Sequence, residues 1–161
     1  MGHQIPTASL DEPKPDFREL LKAVLTRNLS LKFQATGYSM SPFIREGDVV
    51  TISPKANREP RLGDVVAFSH PHTDRLFIHR VVERHSDHCI IRGDNAFVPD
   101  GPIPYENVLG FVTKVERGGR QVFLGQGPER VLIALLDRYN LMIPVVRKLP
   151  RLLRPPWKHK S

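Results

Sequence analysis

Ala35-Thr36-Gly37-Tyr38-Ser39-Met40-Ser41-Pro42 is a small, polar, turn-prone run between two apolar segments, close to where the periodicity of the chain changes. Upstream, Phe17, Leu20, Leu21, Val24 and Leu25 fall on one helical face, and Asp16 followed by Glu19 has capping-box spacing. This predicts one amphipathic helix over 16–29, too little for a helix-turn-helix module, which needs two. Residues 1–15 carry Pro6, Pro13 and Pro15 in a polar context and are expected to be a mobile lead-in. Downstream, short β-branched runs take over: Val49-Val50-Thr51-Ile52, Val65-Val66-Ala67-Phe68, Leu76-Phe77-Ile78, Val81-Val82, Cys89-Ile90-Ile91 and Phe111-Val112-Thr113-Lys114-Val115. Gly47-Asp48, Gly63-Asp64, Gly93-Asp94 and Gly118-Gly119 punctuate them, so 30–125 reads as a β-rich domain.

A second helical pattern over 126–146 places Leu132, Leu135, Leu136, Tyr139, Met142, Ile143 and Val146 on one arc, with Asp137, Arg138 and Asn140 away from it. Pro144 is expected to end or kink it. The net charge of +7 is concentrated beyond this point: Arg147, Lys148, Arg151, Arg154, Lys158 and Lys160 stand in 147–161 without an acid among them. Without those six, 18 basic residues face 17 acidic ones, so the body is near neutral and nucleic acid is a poor candidate partner. Interleaved with Leu149, Leu152, Leu153 and Trp157, the basic tail is expected first to dock on the domain, with peripheral contact with an anionic membrane surface as the next reading and another anionic partner such as RNA as the last. A single cysteine, no metal-type spacing and no N-terminal apolar run point to a reducing, cytoplasmic setting without a spanning segment or a resident metal.

A serine hydroxyl is a weak nucleophile on its own, so reading Ser39 as one requires a base within hydrogen-bond reach and donors for the oxyanion. Of the seven histidines, His3 and His159 lie in the tails, His70 and His72 in a turn-like stretch, and His85 and His88 around the polar Ser86-Asp87. Only His79 stands inside an apolar strand pattern, where a histidine is more often structural than catalytic. Carboxylate candidates to orient it are Asp94 and Asp100 in Gly93-Asp94-Asn95-Ala96-Phe97-Val98-Pro99-Asp100, although an aspartate after glycine is also a simple turn cap.

The order Gly37-Tyr38-Ser39-Met40-Ser41-Pro42, Gly47-Asp48-Val49-Val50, Gly63-Asp64-Val65-Val66-Ala67-Phe68, Ile78-His79-Arg80-Val81-Val82 and Gly93-Asp94-Asn95, with Asp100 beyond, resembles the type I signal peptidase family. The resemblance spans about residues 34–115 and is nearest the archaeal and endoplasmic-reticulum branch, which has histidine where bacterial members and LexA-type repressors have lysine. It implies a mainly β fold, a partly open coiled sheet with flanking amphipathic helices, and no cofactor. It further implies Ser39 as nucleophile, His79 as general base, Asp100 as orienting acid and Asp94 as the residue holding the neighbouring loop. Gly37, Met40 and Arg80 are supporting positions within the matched motifs. Where signal peptidases commonly carry a serine two residues before the nucleophile, this chain has Gly37, so the oxyanion hole is expected to use backbone N–H groups, including that of Ser39, or Thr36.

The resulting expectation is a serine endopeptidase taking an extended peptide or protein substrate. Its alternatives are a non-catalytic peptide- or protein-binding module of the same fold and a self-cleaving regulator without its DNA-binding domain. Lack of a membrane anchor favours a dedicated substrate over general preprotein processing.

Overall fold

The computed structural model describes residues 15–141. The expected lead-in up to residue 14, the Met142, Ile143, Pro144 and Val146 end of the second helical pattern, and the basic segment 147–161 with its membrane contact lie outside the described residues, as does the side chain of Asp16 on which the expected cap depends. Helix α1 (Pro15–Thr26) packs Phe17, Leu21 and Leu25 against the sheet, while Leu20 points outward, so its buried stripe is narrower than the sequence suggests. Phe17 meets Phe33 edge to face at 5.6 Å. The helix ends where Asn28 turns left-handed, with φ 60, and the amides of Asn28 and Leu29 return to the carbonyls of Leu25 and Val24. That crossed pair satisfies the last carbonyls and stops the helix.

Eight strands follow: β1 (Leu31–Gln34), β2 (Val49–Pro54), β3 (Val65–Ser69), β4 (Leu76–Arg84), β5 (His88–Arg92), β6 (Gly101–Pro104), β7 (Val108–Arg117) and β8 (Arg120–Gln121). Every pairing is antiparallel, in the order β1-β2-β7-β3-β4-β5-β6, with β8 continuing β7 as a hairpin. Among the described residues the fold is therefore mainly β, an open sheet with two α-helices. The sequence runs Leu76–Ile78 and Val81-Val82 are one strand. β1, β6 and β8 gave no separate signal because they are short and two of them, β1 and β6, end the sheet. Pro102 and Pro104 are tolerated in β6 because its outer edge needs no ladder donors.

Apolar side chains of the sheet form two clusters. Phe33, Val50, Ile52, Val65, Ala67, Ile78 and Val115 pack with α1, while Val66, Phe68, Val81, Ile91, Ile103 and Phe111 form the other. The Gly-Asp turns share one construction. Asp48 accepts the Arg45 amide and a two-pronged pair from Arg117, and Asp64 accepts the Arg61 amide and the Arg58 guanidinium. Each aspartate caps its turn and also ties it to a distant part of the chain, Asp48 through Arg117 and Asp64 through an ion pair with Arg130 at 3.3 Å.

Helix α2 (Arg130–Arg138) is shorter than expected and turned the other way. It ends at a left-handed Asn140, φ 58, with the amides of Asn140 and Leu141 on the carbonyls of Asp137 and Leu136, so the stop comes before Pro144. Ile133, Ala134 and Asp137 face the sheet, whereas Leu132 and Tyr139, placed on the packing arc by periodicity, are 60% and 65% exposed. Asp137, expected outside, is fully buried. An apolar arc identifies a stripe on a helix but not what it faces, and here the inward side carries Ile133 and Ala134 together with Asp137, which lies near Arg80 and Arg92. Among the described residues no helix is long and apolar enough to cross a membrane.

Candidate active site

His79 stands on β4 opposite Val66 of β3, its ring stacked on Phe77 two residues earlier at 5.7 Å and 28°. Period-2 alternation puts both rings on one face of the sheet, and Phe68 of β3, opposite Phe77, lies 6.2 Å from the imidazole. The imidazole is 7% exposed, which fixes its orientation and leaves only its edge to meet the cleft.

Two polar groups meet that edge. Nδ1 lies 2.7 Å from Asp100 Oδ2 and Nε2 lies 3.0 Å from Ser39 Oγ. A carboxylate can only accept, so Nδ1 carries the proton and Nε2 is left to accept from the serine hydroxyl. Ser39 itself is exposed, in the turn after β1. His70, whose turn-like setting suggested a solvated ring, is half-buried and donates from Nε2 to the Asp100 carbonyl at 3.2 Å, beneath the same carboxylate.

Asp100 reaches His79 because the segment after β5 doubles back. The Ala96 amide bonds the Gly93 carbonyl, the Arg92 Nε donates to the Ala96 carbonyl, and the Asp100 amide returns to the Ile91 carbonyl at 2.9 Å. Phe97 and Val98 form the exposed tip of this loop. Asp94 points elsewhere: both its oxygens are held by Arg80, Oδ1 from Nε at 2.7 Å and Oδ2 from Nη2 at 2.8 Å. Arg80 also donates to the carbonyls of Gly63 and Gly125, so a buried clamp lies behind the strand that carries His79.

Gly93 and Asn95 were not singled out in the sequence as site residues, yet they position Ser39. The Asn95 amide donates to the Ser39 carbonyl at 2.8 Å, and its Nδ2 donates to the Tyr38 carbonyl. A Cβ on Gly93 would lie 2.7 Å from the Ser39 carbonyl oxygen and 3.2 Å from the His79 ring, so only glycine lets the serine turn approach the imidazole this closely. The Gly before Asp94 was the available signal, but it reads equally as a turn residue.

Beside Ser39 opens a cleft of about 220 Å³ whose apolar lining includes Ala35, Met40, Ile44, Val50, Leu76 and Ile78. Met40 is 5% exposed and faces this space, and Gly37 bends the chain at its rim with φ 81. Thr36 lines the same rim. Leu76–Ile78 pair with β3 on one side, whereas β5 begins pairing with β4 only at Arg80, so among the described strands the other edge of Leu76–Ile78 has no neighbour. Cys89 is not a competing nucleophile, because burial pushes its thiol up to about 12. No cluster of metal-ligating side chains occurs among the described residues.

The site thus combines an exposed serine, a histidine within bonding distance of it, a carboxylate behind the histidine and an apolar cleft. No curated protein is matched by the sequence. A family model described as Peptidase S24-like matches residues 3–115, a stretch that contains Ser39, His79 and Asp100 together. That places the chain in the signal-peptidase and LexA superfamily anticipated from its motifs, at a broader level than the type I signal peptidase branch. The chain belongs to the Peptidase S24-like family.

Proposed function

We propose that the protein is a serine endopeptidase that cleaves an extended peptide or protein through an acyl-enzyme, in the manner of the Ser-His branch of type I signal peptidases. The observation that carries this reading is the continuous contact Asp100 Oδ2 to His79 Nδ1, 2.7 Å, and His79 Nε2 to Ser39 Oγ, 3.0 Å. His79 takes the hydroxyl proton as Ser39 attacks the peptide carbonyl, passes it to the leaving amine, and then activates water for deacylation. Asp100 holds the tautomer and stabilises the imidazolium formed in the transition state. The unpaired edge of Leu76–Ile78 suits a substrate strand, whose backbone adds to the sheet while one apolar side chain enters the cleft. Gly37 leaves the oxyanion to backbone N–H groups near Ser39.

Treating the purified protein with a fluorophosphonate and mapping the adduct by mass spectrometry tests the reading. The expected result is one adduct, on Ser39, lost in His79→Ala. A folded protein that forms no adduct between pH 6 and 9 would instead be a binding module of this fold.

A further inference from the structure

Asp137 is the one acid on the buried side of α2, with no exposed surface. Among the described residues neither carboxyl oxygen accepts a hydrogen bond from any N–H or O–H donor, although the backbone carbonyl of the same residue takes Arg92 Nη1 at 2.6 Å. An ionised carboxylate in that position would be stripped of water without compensation, a strongly unfavourable arrangement. The charged groups facing it are Asp94 from the turn after β5, Arg80 from β4 and Arg92 from β5, with Glu129, just before α2, facing Arg80. Arg80 spends its Nε and Nη2 on Asp94 and its Nη1 on the Gly63 and Gly125 carbonyls. Arg92 spends its Nε on Ala96 and its Nη1 on the Asp137 backbone. Asp94 receives one bond at each oxygen and has lone pairs to spare.

We propose that Asp137 is held as the neutral acid and gives its proton in a hydrogen bond to the Asp94 carboxylate, so that one proton latches α2 to the Arg80–Asp94 clamp and makes the site behind which it lies pH-responsive. The two carboxyls then form an acid–carboxylate pair of the kind that cannot ionise together at close range. Burial first, and then repulsion by and hydrogen bonding to Asp94, push the Asp137 carboxyl up to about 8, against the pull of Arg80 and Arg92. The sign follows from linkage: a folded-state value raised above the unfolded one, about 3.9, gives stabilisation that is complete below that unfolded value and drains away until pH passes about 8. Above this the proton goes to solvent, two like charges face each other, and the latch loosens. The effect can reach the site because Arg80 adjoins His79 on β4 and because Asp94 sits between Gly93 and Asn95, which hold the Ser39 turn. Only this last step rests on the peptidase reading.

The test compares the full chain with Asp137→Asn, which keeps a donor toward Asp94 but cannot ionise. Melting temperatures taken from pH 5 to 9.5 are expected to fall more steeply in the wild type, so that the advantage of Asp137→Asn widens by about 5 °C or more across the range and levels off above the Asp137 titration. Infrared spectra of the wild type, which need no variant, should show a protonated carboxyl band at pH 7 that disappears on raising the pH through 8. A melting-temperature gap independent of pH, or no protonated carboxyl at pH 7, overturns the latch. For the site, fluorophosphonate labelling of Ser39 is expected to slow at alkaline pH in the wild type and not in Asp137→Asn. Labelling that changes identically in the two overturns the regulatory link. Divergent melting curves with no labelling in either support the latch and count against the peptidase reading alone.

Discussion

His79 and Arg80 are consecutive residues of β4, and each is paired with an aspartate from the same returning segment, yet the two pairs live in different media. His79 and Asp100 keep 8% and 17% of their side chains exposed and end on an exposed serine, whereas Arg80 and Asp94 keep none. Strand alternation alone sends the neighbours to opposite faces. What differs is the cover: α2 and the turn around Gly125 close over the arginine, while the histidine opens on the cleft. A pair at the boundary can exchange a proton with a substrate and then with water. A dry pair cannot, and its work is to fix the strand and the turn after β5. The contrast teaches that charge pairing alone does not single out the carboxylate fit for proton transfer in the proposed reaction; access does.

The largest expected effect breaks the accessible pair. Asp100→Asn should leave the melting temperature nearly unchanged while slowing Ser39 acylation by on the order of 10⁴-fold, since the imidazole loses both its tautomer and its stabilising charge. A fully active Asp100→Asn would move the orienting role to another group. The dry pair should respond in the opposite sense. Arg80→Met takes the guanidinium from the buried Asp94 carboxylate and from the Gly63 and Gly125 carbonyls and is expected to cost about 3–5 kcal/mol in urea unfolding, whereas Arg80→Met combined with Asp94→Leu should recover part of the loss. A single variant as stable as the wild type would show that the clamp is not dry.

The smallest effect sharpens the boundary between the two. Gly93 is where they join, preceding Asp94 and touching both Ser39 and His79. Gly93→Ala should destabilise the fold by only about 1–3 kcal/mol through crowding, yet slow acylation about 100-fold by moving the serine turn off the imidazole. Equal losses in stability and rate, with the rate fully restored at low temperature, would mean that the contact is structural only.

Much of this was legible before any coordinates. The β-branched runs and Gly-Asp turns give strands β2, β3, β4, β5 and β7, because alternation and turn chemistry are local properties. Ser39 and His79 stood out by their own contexts, but the choice of Asp100 over Asp94 was only implied by the family resemblance that the order of motifs carries, since a lone Gly-Asp reads equally as a turn cap. The edge strands β1 and β6 were missed because four residues at the margin of a sheet carry little pattern, and prolines mask one of them.

Other features required the tertiary structure. Periodicity found the apolar arc of α2 but turned it inward, because the arc says which residues share a side and not which side the sheet presents. Burying Asp137 depends on Arg80, Arg92 and Asp94, brought to one point from three places in the chain. Likewise, the segment 93–100 supplies one aspartate to each face of β4, and the choice is made by the bonds from Ala96, Arg92 and Asp100 that fold it back. The sequence by itself determined which chemical groups are present and along which strands and turns they run, since these follow from neighbours a few residues apart. Their access to water and to one another depends on contacts across the whole chain, and only the folded packing decided that.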